Sequence, residues 1–374
     1  MTPKVIDINN VKDIDEVIKE VVAAFRNGDL VVLPTETVYG VAALMTNEAA
    51  VQKLLKLKGR QEGHAIPLAI GGYGVLTDYV PLPGKLGLRL ARRCWPGPVT
   101  LVFHDSATQP LLNTLPEPTR LAIMPAGTIG FRVPDNAVTR EILYEIGEPV
   151  LLTSANLTGH PPALTAEEAM ASIGHDVALI LDAGESDLQK PSTVVQIEGN
   201  HYEILREGAL PRQTIERLTA KIILFVCTGN TCRSPMAEVI CEQLLAKHLG
   251  CSRQELEDKG YVVLSAGIAA SENRPATFEA QEVVKRRGLS LADHQSQRVS
   301  ETLARYADMI FVMTRGHREA LLSQWPNIDM RLQVLRTDGG DISDPIGGNE
   351  DIYDACADQI EKMILAQLDT IAIK

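Results

Sequence analysis

One stretch constrains this chain more than any other: Lys221-Ile222-Ile223-Leu224-Phe225-Val226, then Cys227-Thr228-Gly229-Asn230-Thr231-Cys232-Arg233-Ser234-Pro235. The first part is a short apolar run, the pattern of a strand buried in a parallel sheet. The second part is a turn-forming segment, and Pro235 suits the first turn of a helix expected over about Ser234–His248. A buried strand that feeds a tight loop and a helix is the opening of a βα unit. It carries Cys227 to the carboxyl end of its strand, where doubly wound sheets bind ligands. Downstream the pattern continues as strand Tyr261–Ser265, helix Thr277–Arg287, helix Ser300–Tyr306, strand Met309–Met313, helix Arg315–Ser323, strand Met330–Leu335 and a closing helix Ile352–Ile371. The alternation predicts a doubly wound parallel sheet with helices on both faces.

Upstream of this unit the pattern breaks. Arg206-Glu207-Gly208-Ala209-Leu210-Pro211 reads as the end of an earlier unit, and Gln213 to Thr219 as a short polar helix or linker. Two domains are expected, 1–215 and 220–374, as suits 374 residues. The first opens with an amphipathic helix, Ile14, Val17, Ile18, Val21, Val22 and Phe25 sharing one face and Asn27-Gly28 ending it. A strand at Leu30–Leu33 and a helix at about Asn47–Leu57, closed by Gly59, follow. Later apolar runs at Val99–Phe103, Gly130–Val133, Val150–Thr153, Leu179–Leu181 and Thr193–Ile197 make this unit a mixed α/β domain.

Composition removes several function classes. The net charge is -12 and aromatics are 4%, against a protein that grips nucleic acid directly, which needs a basic face and stacking rings. Pro, Gly or charge interrupts every apolar run short of membrane-spanning length, so no membrane association is expected. The start, Met1-Thr2-Pro3-Lys4, lacks the basic-then-apolar order of a signal peptide, and the expectation is a cytoplasmic protein with reduced thiols. The six cysteines are too few for a disulfide scaffold, and the absence of paired Cys-x-x-Cys knuckles argues against a structural metal. A reduced thiol is then of interest as a nucleophile.

In the cysteine loop, backbone amides and a helix N-terminus form a positive cradle suited to a tetrahedral dianion, and such a cradle favours the nucleophilic thiolate of Cys227. Gly229 is expected to let the backbone bend around the anion, Arg233 to grip two phosphate oxygens, Ser234 to donate to the sulfur and Asn230 to hold the loop. A leaving group needs a proton, and Asp344 in Ser343-Asp344-Pro345-Ile346-Gly347-Gly348 is a carboxylate on a stiff loop, although Asp-Pro alone is commonly a plain turn. With Ser265-Ala266-Gly267 and Asp293-His294, these motifs resemble the low-molecular-weight protein-tyrosine-phosphatase family over about Lys221–Lys374. The resemblance implies Cys227 as nucleophile, Arg233 as phosphate binder, Asp344 as general acid, a phosphate loop of Thr228, Gly229, Asn230, Thr231, Cys232 and Ser234, and no cofactor. Thr231 resembles the protein-arginine phosphatases of the family, where many tyrosine-directed members carry an aliphatic residue. So does Asp344-Pro345-Ile346-Gly347-Gly348 followed by Asp351-Ile352-Tyr353. The resemblance implies a phosphoprotein substrate, phosphoarginine first and phosphotyrosine as the alternative. Arsenate reduction would need relay cysteines around Arg305–Leu322, and there are none. Cys232 is either an inert small residue or a partner for a reversible disulfide with Cys227.

The first unit carries weaker motifs that accumulate: Pro34-Thr35-Glu36-Thr37-Val38-Tyr39-Gly40, Lys58-Gly59-Arg60, Thr153-Ser154-Ala155-Asn156, Pro191-Ser192-Thr193 and Arg206-Glu207-Gly208. Each alone reads as a helix end or a turn. Together they resemble the YrdC/Sua family of threonylcarbamoyl-AMP synthases over about residues 10–212. The resemblance implies synthesis of threonylcarbamoyl-AMP from L-threonine, bicarbonate and ATP, with Mg2+ sharing the triphosphate charge. It implies threonine contacts at Thr35, Arg132, Thr153 and Ser192, and ATP contacts at Lys58, Arg60, Thr128, Ala155, Asn156 and Arg206. Partner proteins would pass the threonylcarbamoyl group to a tRNA adenosine. Many members read Asn-Pro-Leu with a His three residues later, whereas here the stretch is Ile66-Pro67-Leu68-Ala69-Ile70-Gly71, leaving His64 as a substitute. The expectation is a bifunctional enzyme. The rival reading makes the first unit a non-catalytic nucleotide- or RNA-binding module.

Overall fold

The computed structural model describes residues 2–59, 65–104 and 110–373. The chain divides into two compact units, Met1–Leu218 and Thr219–Lys374. Among the described residues no helix is long and apolar enough to cross a membrane.

The first unit is built on a mixed sheet. Its strands are β1 (Lys4–Asp7), β2 (Val31–Leu33), β3 (Gly40–Leu44), β4 (Leu68–Ala69), β5 (Val99–His104), β6 (Thr128–Arg132), β7 (Val150–Ser154), β8 (Leu179–Asp182), β9 (Thr193–Glu198) and β10 (His201–Arg206). They lie in the order β1-β8-β2-β3-β7-β4-β6-β5-β9-β10. Two apolar layers cover it. Leu30 and Val32 point into one core while Val31 and Leu33 point into the other, the alternation a strand imposes. The helix Ile14–Arg26 lays Val17, Ile18, Val21, Val22 and Phe25 on the second layer, with Asp13 accepting from the amides of Asp15 and Glu16 as its N-cap. The helix Glu48–Lys58 starts at the Asn47 cap and stops at Gly59, whose φ of 52° is left-handed. The helix Arg212–Thr219 is more than a polar linker: Ile215 is fully buried in the first unit's core, and Arg93 Nη1 donates to Leu218 O at 2.6 Å.

Some elements escaped the sequence reading. β3 is buried along its whole length, so it shows no alternation, and β10 is an exposed edge strand with a polar sequence. The helices Gly84–Cys94 and Ala137–Ile146 also went unread.

The second unit holds β11 (Lys221–Cys227), β12 (Tyr261–Gly267), β13 (Met309–Val312) and β14 (Leu332–Val334), in the order β12-β11-β13-β14 and parallel throughout. Ile223 and Phe225 face a core built with helices Arg233–Leu249, Phe278–Arg286 and Glu350–Leu365, and Leu224 and Val226 face one built with Glu301–Tyr306 and Arg315–Gln324. Strand order reverses about β11, so Cys227 stands at the switch point of a doubly wound sheet. The closing helix is two pieces, Glu350–Leu365 and Leu368–Ala372, a break that no Gly or Pro announces. Met330 lies in a 3-10 turn, Pro326–Arg331, and is 96% exposed, so that strand begins only at Leu332.

Candidate active sites

In the second unit, β11 ends at Cys227 and the next helix starts at Arg233, so the loop between them closes around one point. The left-handed residue of that loop is Asn230, with φ of 54°. Gly229 keeps an ordinary φ, and a side-chain carbon there would meet only Thr231 Oγ1, at 3.5 Å. This corrects the expectation that glycine supplies the bend: asparagine tolerates the left-handed region, and here its side chain also fixes it. Asn230 Oδ1 accepts from the Gln297 amide at 2.8 Å, which settles the orientation of the carboxamide. Its Nδ2 donates to Ser234 Oγ at 3.0 Å and to Ser265 Oγ at 2.8 Å. Both hydroxyls, serving as acceptors there, keep their hydrogens for other partners. Ser234 Oγ lies 3.0 Å from Cys227 Sγ, and Ser265 donates to Glu238. The Asn230 amide also donates to Cys227 Sγ, at 3.2 Å, and His294 Nε2 donates to Asn230 O at 2.8 Å.

Arg233 is buried. Its Nη1 donates to Ile342 O at 3.2 Å, and its Nη2 reaches Thr228 Oγ1 at 3.5 Å and the carboxylate of Asp344. The nucleophile, guanidinium and carboxylate named from sequence therefore gather at one place. Thr231 O accepts from the Thr277 amide at 2.9 Å. Cys232 Sγ is ringed by hydroxyls, those of Thr231 at 3.7 Å, Thr277 at 3.6 Å and Tyr353 at 3.3 Å.

Sequence reasoning missed two titratable neighbours. His317 Nε2 lies 2.9 Å from Thr228 Oγ1. Burial, then the nearby Arg233 charge, push this histidine down to about 4, so it is neutral near pH 7. Glu238 is pushed up to about 7 by burial. No local pattern marks His317, but Glu238 stands one turn beyond Ser234 and so shares its helix face.

In the first unit, strand ends surround a cavity of about 500 Å³. Thr35, Thr128, Arg132, Thr153, Asn156, Ser192 and Arg206 all line it. The lining includes two arginines and no Asp or Glu among the described residues, a field suited to an anion. Burial, then the charge of Arg132, lower the pKa of Arg206. Arg206 Nη2 donates to Ser192 O at 2.8 Å, and Thr100 and Ser192 hydroxyls stand 2.9 Å apart.

Two expected contacts lie behind the wall instead. Lys58, 3% exposed, donates to Ser154 O at 3.0 Å, Asn156 O at 2.5 Å and Asn156 Oδ1 at 3.1 Å, so its ammonium shapes the Ser154–Asn156 turn. Ala155 is fully buried, its amide donating to Tyr39 O at 2.8 Å. Arg60 and His64 fall outside the described residues. The positions where polar residues are lost are also off the lining: Ile66 is fully buried in the core, and a side-chain carbon on Gly71 would stand 3.0 Å from the Tyr144 ring. Glu36 and Thr37, which the motif contained but the reading left without a role, meet Arg132.

A family model for Sua5, YciO and YrdC proteins, described as telomere recombination, matches residues 23–208, and the model for low molecular weight phosphotyrosine protein phosphatase matches 222–373. A putative threonylcarbamoyl-AMP synthase of Mycobacterium tuberculosis is 35% identical over 194 residues, 52% of this chain and 85% of the relative. A protein-arginine-phosphatase of Geobacillus stearothermophilus is 37% identical over 147 residues, 38% of this chain and 90% of the relative. The crystal structure of P. abyssi Sua5 complexed with L-threonine matches with a TM-score of 0.52 and 20% identity, over 71% of this chain and 92% of that one, a likeness of fold. The chain is thus an enzyme that belongs to two families, the threonylcarbamoyl-AMP synthases through its first unit and the low-molecular-weight phosphotyrosine protein phosphatases through its second.

Proposed function

We propose that one chain performs two reactions, synthesis of L-threonylcarbamoyl-AMP from L-threonine, bicarbonate and ATP, and hydrolysis of phosphoarginine in proteins. For the first, the carrying observation is the cavity, lined by no Asp or Glu among the described residues, that gathers Arg132, Arg206 and the hydroxyls of Thr35, Thr128, Thr153 and Ser192 from several strand ends. Such a set neutralises a triphosphate and holds a small zwitterion. The threonine amine attacks the bicarbonate carbon, a C–N bond forms, a C–O bond breaks and water leaves, giving a carbamate. A carbamate oxygen bonds to the α-phosphorus of ATP as the bond to the β-phosphate bridge breaks, and pyrophosphate leaves. Among the described residues no three His, Cys, Asp or Glu side chains lie together as a metal site would need, and the lining offers no carboxylate. Among the described residues the lining thus offers a Mg2+ ion hydroxyls but no carboxylate, and the triphosphate and water would supply most of its ligands. With a net charge of -12, the chain supplies the activated product to tRNA-modifying partner proteins rather than holding tRNA itself.

For the second reaction, the carrying observation is Cys227 Sγ between Ser234 Oγ and the Asn230 amide, with Arg233 reaching both Thr228 and Asp344. The sulfur attacks phosphorus, an S–P bond forms, the P–N bond breaks, and Asp344 gives its proton to the departing guanidine nitrogen. Asp344 then takes a proton from the water that cleaves the S–P bond. The Thr231 hydroxyl favours a polar guanidinium over an aromatic ring.

The tests are separate. Pyrophosphate release that requires both ATP and threonine supports the synthase, and no release from a preparation with intact phosphatase activity refutes it. Phosphoarginine and phosphotyrosine peptides are compared in wild type and Thr231→Ile. A wild type that prefers phosphotyrosine overturns the arginine assignment, and near-normal turnover by Cys227→Ser overturns the nucleophile.

A further inference from the structure

Glu36 lies directly behind the cavity of the first unit, its side chain 7% exposed and absent from the lining. Its Oε2 accepts from the Asp135 amide at 2.9 Å. Its Oε1 stands 2.8 Å from Arg132 Nη2 but makes no aligned hydrogen bond. That Nη2 instead directs a hydrogen to Thr37 Oγ1 at 2.8 Å, so the carboxylate holds Arg132 by charge while Thr37 sets its angle. Arg132 Nε reaches Gly97 O at 3.3 Å. With Nε and Nη2 engaged from behind, Nη1 is the edge of the fork left for the cavity.

We propose that Glu36 is the positioning residue that seats the Arg132 guanidinium so that its free edge meets the carboxylate of the amino-acid substrate. This rests on the reading of the cavity as a threonine and ATP site. Two facts favour a carboxylate at position 36 over any other side chain. Both groups facing Glu36 are donors, the Asp135 amide and the guanidinium. A glutamine can satisfy one of them only by turning its own NH2 group toward the other. The charge also matters, because Arg132 and Arg206 share the cavity and its lining has no acid among the described residues. Without Glu36 the Arg132 fork loses the counter-charge it pairs with among the described residues and leaves its seat.

The experiment measures binding of L-threonine and, separately, of ATP to the full chain by calorimetry, with melting curves alongside. Glu36→Gln is expected to weaken threonine binding about ten-fold or more while ATP binding changes by less than about two-fold, the loss of one charged contact at one ligand. Thr37→Val, which keeps the charge but frees the angle, is expected to give a smaller loss in the same direction. This variant also carries the test if Glu36→Gln does not fold. Equal threonine affinity in wild type and both variants overturns the inference. So does a parallel loss of threonine and ATP binding, which marks a general structural role. A wild type that binds ATP but no threonine refutes the reading of the cavity, and this inference falls with it.

Discussion

Arg233 and Asp344 hold each other: the guanidinium, 5% exposed, donates through Nη2 to a carboxylate that is 42% exposed. The group proposed to grip phosphate and the group proposed to protonate the leaving group thus neutralise one another. On the proposed mechanism, a phosphoryl dianion would draw the fork away from Asp344 and so free the carboxyl group for the departing atom.

Asp344→Asn separates the two roles. The amide cannot pair with the guanidinium as an ion, so Arg233 becomes freer for anions, and inorganic phosphate is expected to inhibit at several-fold lower concentration than in wild type. Proton transfer is lost, so kcat falls by about 10²–10⁴. Phosphate inhibition no tighter than in wild type would show that the pair does not gate the site.

Glu238 gives the second unit a pH signature. Burial raises its pKa from 4.5 to about 7, against the Ser265 hydrogen bond, which lowers it; the nearby Glu242 charge raises it and the Arg253 charge lowers it to a smaller extent. The native state thus binds more protons than the unfolded state across this window. Stability from this group is fully present below pH 4.5 and falls as pH rises to about 7, by about 3 kcal/mol. Glu238→Gln keeps an acceptor for Ser265 and removes the charge. Denaturant melts at pH 5 and pH 8 are expected to show the variant gaining on wild type with rising pH. A constant difference between the two pH values counts against a shifted Glu238.

Cys232 sits among the hydroxyls of Thr231, Thr277 and Tyr353, within the same loop as Cys227. On the disulfide reading, peroxide would convert the Cys227 sulfur to a sulfenic acid, and attack by the Cys232 thiol would form a disulfide and expel water. Wild type should then recover most of its activity with a thiol reductant after brief peroxide treatment, and Cys232→Ser only a small part. Equal recovery in the two proteins removes the protective role.

What could be read from sequence followed distance along the chain. The cysteine loop was legible because a buried strand, a turn and a helix start lie within fifteen residues, and the local code carries all of it. Asp344 was legible only as chemistry, a loop carboxylate wanted by a mechanism. His317 stands 89 residues from the threonine it meets, and helix periodicity gives it no sign. Lys58 was legible as a charge, whereas its contacts to Ser154 and Asn156, 96 and 98 residues away, are set by the fold. Glu36 stood inside a quoted motif, yet its partner arrives from β6, a pairing that only the sheet order reveals.

Gly267 should be as sensitive as the nucleophile although it carries no chemistry. It is the register partner of Cys227 at the ends of β12 and β11. A side-chain carbon there would stand 2.6 Å from Thr228 O and 2.8 Å from Asn230 N, both backbone atoms of the phosphate loop. The strand cannot step back, because the Gly267 amide donates to Gln297 O at 2.9 Å and its carbonyl accepts from Val299 N at 3.0 Å. The loop must therefore yield, which moves the amide that points at Cys227 Sγ. Gly267→Ala is expected to cost about 1–3 kcal/mol of stability in the second unit. It is also expected to lower phosphatase kcat/KM by about 10²-fold, the cost of an ångström's misplacement in a preorganised site. The threonine- and ATP-dependent release of pyrophosphate should not change, since Gly267 and every atom it would strike belong to the second unit. A variant with near-normal phosphatase activity would mean that the loop has more freedom than this packing allows.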